Sequence, residues 1–463
     1  MPAIDRFFLI SERGSTMQTE VRGGLATFFT MAYIVVLNAI ILGPQPDGGG
    51  LGLDQAQVAA GTALVAAIMT ILMGVIGKVP IAVAAGLGLN AVVAFQLGAQ
   101  MSAPAAMGIV VMEGLLITVL VLVGLRRMVF DAIPLALKQA ISVGIGLFIA
   151  FIGFVDAGFV RRPAGGLVPV ELGTGGRLLG WPTIVFAVGL MVTVVLVARK
   201  VRGAILLGII GTTIFAIVLQ WILDATGWVL NVPELPDRVA DVPDLGLLGD
   251  FSLGGSFDAV GITAVVLFVF TLMLADFFDT MGTVVGVGAE AGLLDDKGRL
   301  PNADRILLVD SLAAAAGGAA SVSSNTSYIE SAAGVGDGAR TGLASVVTGA
   351  LFLVAMFLTP LYAVVPFEAA TPALVVVGFL LMTQVRRIPW DDYEIAIPAF
   401  LTIILMPFTF SITNGIGAGF ISFVVIKAVA GKTREVHWLL WVVAAAFLVY
   451  FAIEPVEYLL GIS

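Results

Sequence analysis

Ser323-Ser324-Asn325-Thr326-Ser327-Tyr328-Ile329-Glu330-Ser331-Ala332-Ala333-Gly334 is a polar stretch set between long apolar runs. A carboxylate at bilayer depth is costly, so an acid kept there normally faces a cavity, where it binds something or carries a proton. Asp279 stands in a second such place, Ala275-Asp276-Phe277-Phe278-Asp279-Thr280-Met281-Gly282-Thr283. Two acids, each beside a break in a helical pattern, point to a transport site in an all-α polytopic membrane protein.

The rest of the chain agrees with that class. Of 463 residues, 59% are hydrophobic and 12% charged, and the mean hydropathy is +1.07. Apolar runs of about 20 residues recur along the whole length, as membrane-crossing helices require. The short alternating strands of a membrane β-barrel are absent. The 55 glycines fit close helix packing and broken helices. With no cysteine and a single histidine, His437, the chain offers no thiol nucleophile, disulfide or His-based metal cluster. No basic stripe suggests a nucleic-acid partner. Met1–Ser15 lacks the apolar core of a cleavable signal, so none is expected.

Apolar segments run at roughly 24–42, 57–77, 81–98, 104–124, 132–156, 181–198 and 203–223. After an acidic loop at 224–258 they resume at roughly 259–290, 303–319, 328–338, 341–364, 369–385, 394–410 and 412–428. The expectation is 14 transmembrane segments as a 7+7 inverted repeat, because an odd number per repeat turns the second half over. The third and tenth segments are both short or glycine-interrupted. Matching defects in corresponding positions mark the binding site of such carriers. Lys78, Arg126-Arg127, Arg199-Lys200-Arg202, Lys297-Arg299-Arg305, Arg386-Arg387 and Lys432-Arg434 share one side when the N-terminus is cytoplasmic, with Arg161-Arg162 the exception. A further apolar run, Trp438–Phe451, leaves open whether 436–458 crosses the membrane.

The third segment opens Val79-Pro80-Ile81-Ala82-Val83-Ala84-Ala85-Gly86-Leu87-Gly88-Leu89-Asn90. Proline and glycine disfavour a continuous helix there, and Asn90 is expected to cap a helix beginning at Ala91. The tenth segment repeats the plan: an extended Ser/Thr-rich stretch, then a short helix over about Ser331–Gly338. Irregular backbone at that depth survives only where protein buries it or a cavity wets it. Asp279 and Thr283 share a helix face, so the hydroxyl is expected to bond the carboxylate; Asp276 lies one turn earlier. Burial without a counter-charge favours the neutral form of a carboxyl group, which is the physical basis for proton coupling. One acid would bind N–H donors of a flat polar ligand and another would carry the proton. Glu113, Thr27, Phe28 and Thr30 are further candidates for the cavity wall.

Plainer readings stand beside these. Glu330 could only cap the short helix, Thr283 and backbone could satisfy Asp279, and Tyr328 could be a packing aromatic. Gly86-Leu87-Gly88-Leu89-Asn90-Ala91 superficially matches a dinucleotide fingerprint but lacks the βαβ setting. Asp295-Asp296-Lys297 and Asp391-Asp392 are loop charges rather than metal sites. An anion exchanger or channel would need a positive side chain at the site, which these segments do not offer. An intramembrane hydrolase would need a nucleophile and an activating base.

Five ordered motifs carry a family resemblance: TEVRGGLATFFTMAYIVVLNAIIL (Thr19–Leu42), GLGLNA (Gly86–Ala91), DFFDTMGTVVGVG (Asp276–Gly288), SYIESAAGVGDGARTG (Ser327–Gly342) and MPFTFSITNGIGAGFISF (Met406–Phe423). The chain resembles the AzgA-like purine permeases of the nucleobase–cation symporter-2 family nearly end to end. The resemblance implies a proton-coupled symporter, not an enzyme, importing adenine, guanine or hypoxanthine by alternating access across the bacterial cytoplasmic membrane; a uracil or xanthine permease of the same superfamily is the alternative. It implies a homodimer, and no cofactor other than the proton. It implies a core domain (24–124 and 259–364) and a gate domain (125–223 and 365–430), with 1–23 cytoplasmic, 224–258 extracellular and 431–463 an apolar tail. Carried over by motif, the base would meet Glu330, Asp279, Tyr328, Asn90, Ile329, Ser331, Ala91 and Phe28, and the proton Asp279, Glu330 and Asp276. Thr283 occupies the place where uracil and xanthine permeases often have histidine, which fits the purine subgroup. Asn38-Ala39 and Val92-Val93 depart from the pattern and bear on the pocket wall.

Overall fold

The computed structural model describes the backbone of residues 2–44, 50–124, 132–163, 168–228, 232–236, 238–294, 300 and 302–460. Arg126, Arg127, Asp295, Asp296, Lys297 and Arg299 lie outside the described residues. A short helix, α1 (Pro2–Phe8), precedes a first span made of α2 (Met17–Met31) and α3 (Tyr33–Leu42), interrupted at Ala32. Next come α4 (Gln55–Leu72), a π-helical turn (Met73–Gly77), β1 (Val83–Ala85), α5 (Leu87–Ala91) with a π-helical continuation (Val92–Leu97), and α6 (Ala103–Leu122). The chain then forms α7 (Leu135–Asp156), a small hairpin of β2 (Val160–Arg161) and β3 (Glu171–Leu172), α8 (Trp181–Ala198) and α9 (Ala204–Leu223).

The second half begins with α10 (Gly255–Glu290), broken at Gly261, whose φ of 76° only glycine adopts freely. It continues with α11 (Ala303–Ala319), β4 (Asn325–Ser327), α12 (Ser331–Gly336), α13 (Gly342–Ala355), α14 (Thr359–Ala363), α15 (Phe367–Met382), α16 (Tyr393–Phe408), α17 (Ile412–Val429) and α18 (Trp438–Leu460). Ten helices among the described residues are long and apolar enough to cross a membrane. The ninth and thirteenth expected segments form helices of 17 and 16 residues, and the third and tenth are broken as expected. Outer faces carry exposed apolar side chains, such as Trp221, Ile262 and Val429, as helices in lipid do.

Two bundles result. Helices α2–α6 and α10–α13 pack on one another, and α7–α9 with α15–α17 form the second set. Small residues allow the close approaches: a Cβ on Gly334 of α12 would sit 2.5 Å from the Gly23 carbonyl oxygen of α2.

The two broken segments meet inside the first bundle. β1 pairs antiparallel with β4 in the register Val83↔Ser327, Ala84↔Thr326 and Ala85↔Asn325, and all six residues are buried. No water reaches such a ribbon, so its polar backbone must find partners in the protein. Thr70 Oγ1 donates to the Val83 carbonyl and accepts the Val83 N–H, both at 2.9 Å. Ser331 Oγ accepts the Ala82 N–H at 2.9 Å, and Ser345 Oγ lies 2.8 Å from the Val79 carbonyl and 2.9 Å from that of Ile81. The Tyr328 N–H bonds the Ala82 carbonyl and the Gly86 N–H that of Ser324. The expected extended stretches are therefore one small, satisfied sheet.

Where pairing stops, helix begins. Gly86, extended at φ −74° and ψ 117°, is the N-cap of α5, and Asn90 lies inside the helix. The expectation that Asn90 caps a helix from Ala91 is corrected: strand pairing ends at Ala85, and that sets the start. α12 ends at Gly336, two residues short of the expected Gly338, which adopts φ 103°.

Candidate functional site

Glu330 lies at the hinge between β4 and α12. It is the residue before the helix, but its side chain makes no capping hydrogen bond, so the capping reading does not account for it. Its carboxylate accepts the Tyr33 hydroxyl, which reaches it from the break in the first span. Tyr33 is fully buried, whereas Glu330 is half-buried and Ile329 beside it is 53% exposed. Both line a cavity of about 280 Å3 between the two bundles, faced by Thr30 on one side and by Lys200, Arg202 and Ile205 on the other. That size is just below the roughly 300–1,000 Å3 typical of small-molecule sites, and suits a ligand of one or two rings.

Asp279 sits on the part of α10 that packs against β4. The expected hydrogen bond from Thr283 is not formed. The neighbouring hydroxyl, Thr280, instead donates to Asp310 at 2.7 Å and pairs with Thr326 Oγ1 at 2.7 Å. Asp310, on α11, also accepts the N–H and the hydroxyl of Ser327 at 3.0 and 2.7 Å. Sequence reasoning missed Asp310, although a lone acid in an apolar segment was the same signal that singled out Glu330. Asp310 ties the helix of Asp279 to the strand that leads into Glu330.

The other sequence candidates divide. Tyr328 is buried and donates its hydroxyl to the Ala85 carbonyl at 2.5 Å, which ties β4 back to β1. Ser331 is used by the Ala82 N–H, as described, and Ala91 is buried in α5. Asn90 is fully buried, and neither polar atom of its amide has a protein partner among the described residues. Asp276 is buried, one turn before Asp279. Phe28 packs edge-on against Phe352, with ring centroids 5.1 Å apart. Glu113 is buried on α6 and accepts the Ser324 hydroxyl at 3.2 Å, so it supports the broken segment from behind.

One face of the molecule gathers basic groups and the chain's N-terminal region. Arg13 donates to the carbonyls of Lys78 and Arg340, and Arg22 to that of Asp337. Arg202, at the start of the second bundle's α9, pairs with the Asp337 carboxylate just after α12.

An acidic residue thus stands at a cleft between two bundles, with a crossed pair of broken segments behind it, and comparison with known proteins places the chain in a family. The Xan_ur_permease model, described as Permease family, matches residues 18–418. The chain belongs to this permease family. It is 37% identical over 456 residues to the guanine/hypoxanthine permease PbuG of Bacillus subtilis (strain 168), covering 96% of this chain and 98% of that protein. It is 36% identical over 448 residues to the adenine permease AdeP of Escherichia coli (strain K12), covering 96% and 95%. The transmembrane domain of the cyanobacterial bicarbonate transporter BicA superposes with a TM-score of 0.59 at 15% identity, over 87% of this chain and 97% of that one. That likeness concerns the fold alone. This permease therefore shares its helical architecture with that transporter, and a shared fold does not by itself fix the cargo.

Proposed function

We propose that this permease is a secondary-active symporter that imports purine bases together with protons across the bacterial cytoplasmic membrane, its N-terminus inside. The observation that carries the reading is the placement of Glu330, a half-buried acid on the wall of the cavity between the bundles, held there by the Tyr33 hydroxyl. A purine presents N–H donors on its edge, and a carboxylate accepts them with charge-assisted bonds. Glu330 takes those donors, and Asp279 takes and releases the proton. Two carboxylates serving one site discourage a doubly ionised, empty state. The first bundle acts as the core that carries the base, and the second as the gate against which it moves, exposing the site to each side in turn. The names of the permeases from Bacillus subtilis and Escherichia coli support a purine as cargo.

Uptake in a host lacking its own base carriers tests the reading. Labelled hypoxanthine, guanine or adenine accumulates faster as the outside is acidified, and uracil and xanthine compete poorly. Glu330→Gln and Asp279→Asn abolish accumulation while the purified proteins remain monodisperse. Undiminished, pH-dependent uptake by both variants would remove the mechanism.

A further inference from the structure

A second cavity, of about 350 Å3, opens between the bundles on the opposite face. The crossing of β1 and β4 sets this polarity: α12 runs from the ribbon toward the Arg202–Asp337 face, and α5 runs the other way. The wall nearest α5 is Phe95, Gln96 and Gln100; across from it stand Phe410 and Asn414, at the turn between α16 and α17, and Tyr450 of α18. Among the described residues, no charged side chain lines it.

Phe410 is the feature that demands a reason. It ends α16 with φ 51°, in a turn closed by the Ser411 N–H on the Met406 carbonyl at 3.0 Å. That position is ordinarily glycine, because a Cβ there is strained. A phenylalanine held so presents its ring edge-on to Phe148 at 5.1 Å and to Phe95 at 6.2 Å, one from each bundle. Strain kept at a boundary between moving parts points to use. Gln96 joins the bundles beside it: its Nε2 donates to Thr413 Oγ1 at 2.5 Å, and its Oε1 accepts the Ile412 N–H at 3.2 Å. The Asn414 side-chain amide makes no hydrogen bond among the described residues and borders the cavity.

We infer that this outer cavity is a second, charge-free docking site for a flat nitrogen heterocycle. Phe410 and Phe95 offer aromatic rings to the base, and Asn414 and Gln100 read the edge of the ligand with amide donors and acceptors. The base rests there before the acids take it, and it moves inward when Gln96 releases the first turn of α17. The inference builds on the proposed function, since it gives the same cargo a second station.

The full-length carrier tests it, with labelled hypoxanthine as the probe. Phe410→Gly removes the ring and relieves the strain, so the fold is kept; Asn414→Ala removes the edge reader. Each raises the KM of uptake roughly tenfold, the lower range of what a base–aromatic contact contributes, with the maximal rate preserved. Purified Glu330→Gln protein retains weak hypoxanthine binding, and adding Phe410→Gly removes it. Should Phe410→Gly fail to purify as a single species, Asn414→Ala decides alone. Unchanged KM in the variants, beside a wild type that takes up the base, overturns the docking site and leaves the proposed function standing. A wild type that neither binds nor takes up any base ends both.

Discussion

The hydroxyl of Tyr33 is hydrogen-bonded to the carboxylate of Glu330, across the boundary between the first span and the tenth segment. The contact engages one carboxylate oxygen, Oε1. Tyr33 itself is buried, so the bond is shielded from water and strong.

Tyr33→Phe tests what that bond does. The ring still fills its place, so the protein folds. Losing a hydrogen bond to a charged group costs on the order of 1.5–3 kcal/mol; if the bond orients Glu330 for the base, affinity falls by about tenfold or more. Equilibrium binding of labelled hypoxanthine measures it. Unchanged affinity would mean that Tyr33 only fills space.

Asp310 makes a different kind of prediction, because it acts through other residues. Asp310→Asn weakens the bonds to Ser327 and Thr280 that tie β4 to the helix of Asp279. The expected loss is roughly 1–3 kcal/mol of stability, the range for a disturbed buried hydrogen bond. Thermal unfolding in detergent reads that loss, and uptake falls with it because Asp279 and Glu330 lose their fixed spacing. A variant with wild-type melting and wild-type uptake would show that the two acids are held by something else.

Glu20 is the contrasting buried acid. It accepts the N–H groups of Arg340 and Thr341 at 2.8 and 3.2 Å, just before α13. Its partners are all structural, so Glu20→Gln is expected to lower stability by roughly 1–2 kcal/mol and to leave the KM for the base unchanged. A raised KM at normal stability would assign Glu20 to the transport site.

Much of this was legible in the chain itself. The apolar runs, the paired defects at the third and tenth segments and the placement of Glu330 follow from the cost of polar groups in a bilayer, which leaves a plain signature. What was not legible depends on neighbours distant in sequence. Asn90 has the residue type of a cap, but the start of α5 is set by where β1 stops pairing with β4. Helical spacing pairs Thr283 with Asp279, yet the hydroxyl that bonds an acid is that of Thr280, on Asp310, because β4 and α11 lie on its side of the helix. Tyr33 carried no local mark at all, since the interruption at Ala32 contains neither glycine nor proline. Phe410 was likewise hidden, as a left-handed φ at a bulky residue leaves no trace in composition.

Arg202 and Asp337 join the two bundles on the face where Glu330's cavity opens. Arg202 is 64% exposed, so the pair adds at most about 1 kcal/mol to stability. Arg202→Asp therefore leaves melting unchanged but loosens the closure, and the charge-swapped double variant Arg202→Asp, Asp337→Arg restores it. Because the chain has no cysteine, Thr30→Cys in the cavity wall gives a clean thiol reporter. Its labelling should speed up by roughly fivefold in Arg202→Asp, the factor that 1 kcal/mol allows, and return in the swap. Equal rates in all three backgrounds would sink the closure.

Asn90 yields the prediction with the most informative sign. A buried amide without a protein partner costs about 1–3 kcal/mol, and both its polar atoms are in that position among the described residues. A core carries such a group when it serves another step, because selection holds function above stability. Asn90→Ala is accordingly expected to raise the melting temperature in detergent while it lowers the affinity for the base. A cap or a packing residue would lose stability and leave affinity alone, so the two measurements taken on one variant separate the roles. If both fall together, the amide is bonded in the working carrier and belongs to the scaffold.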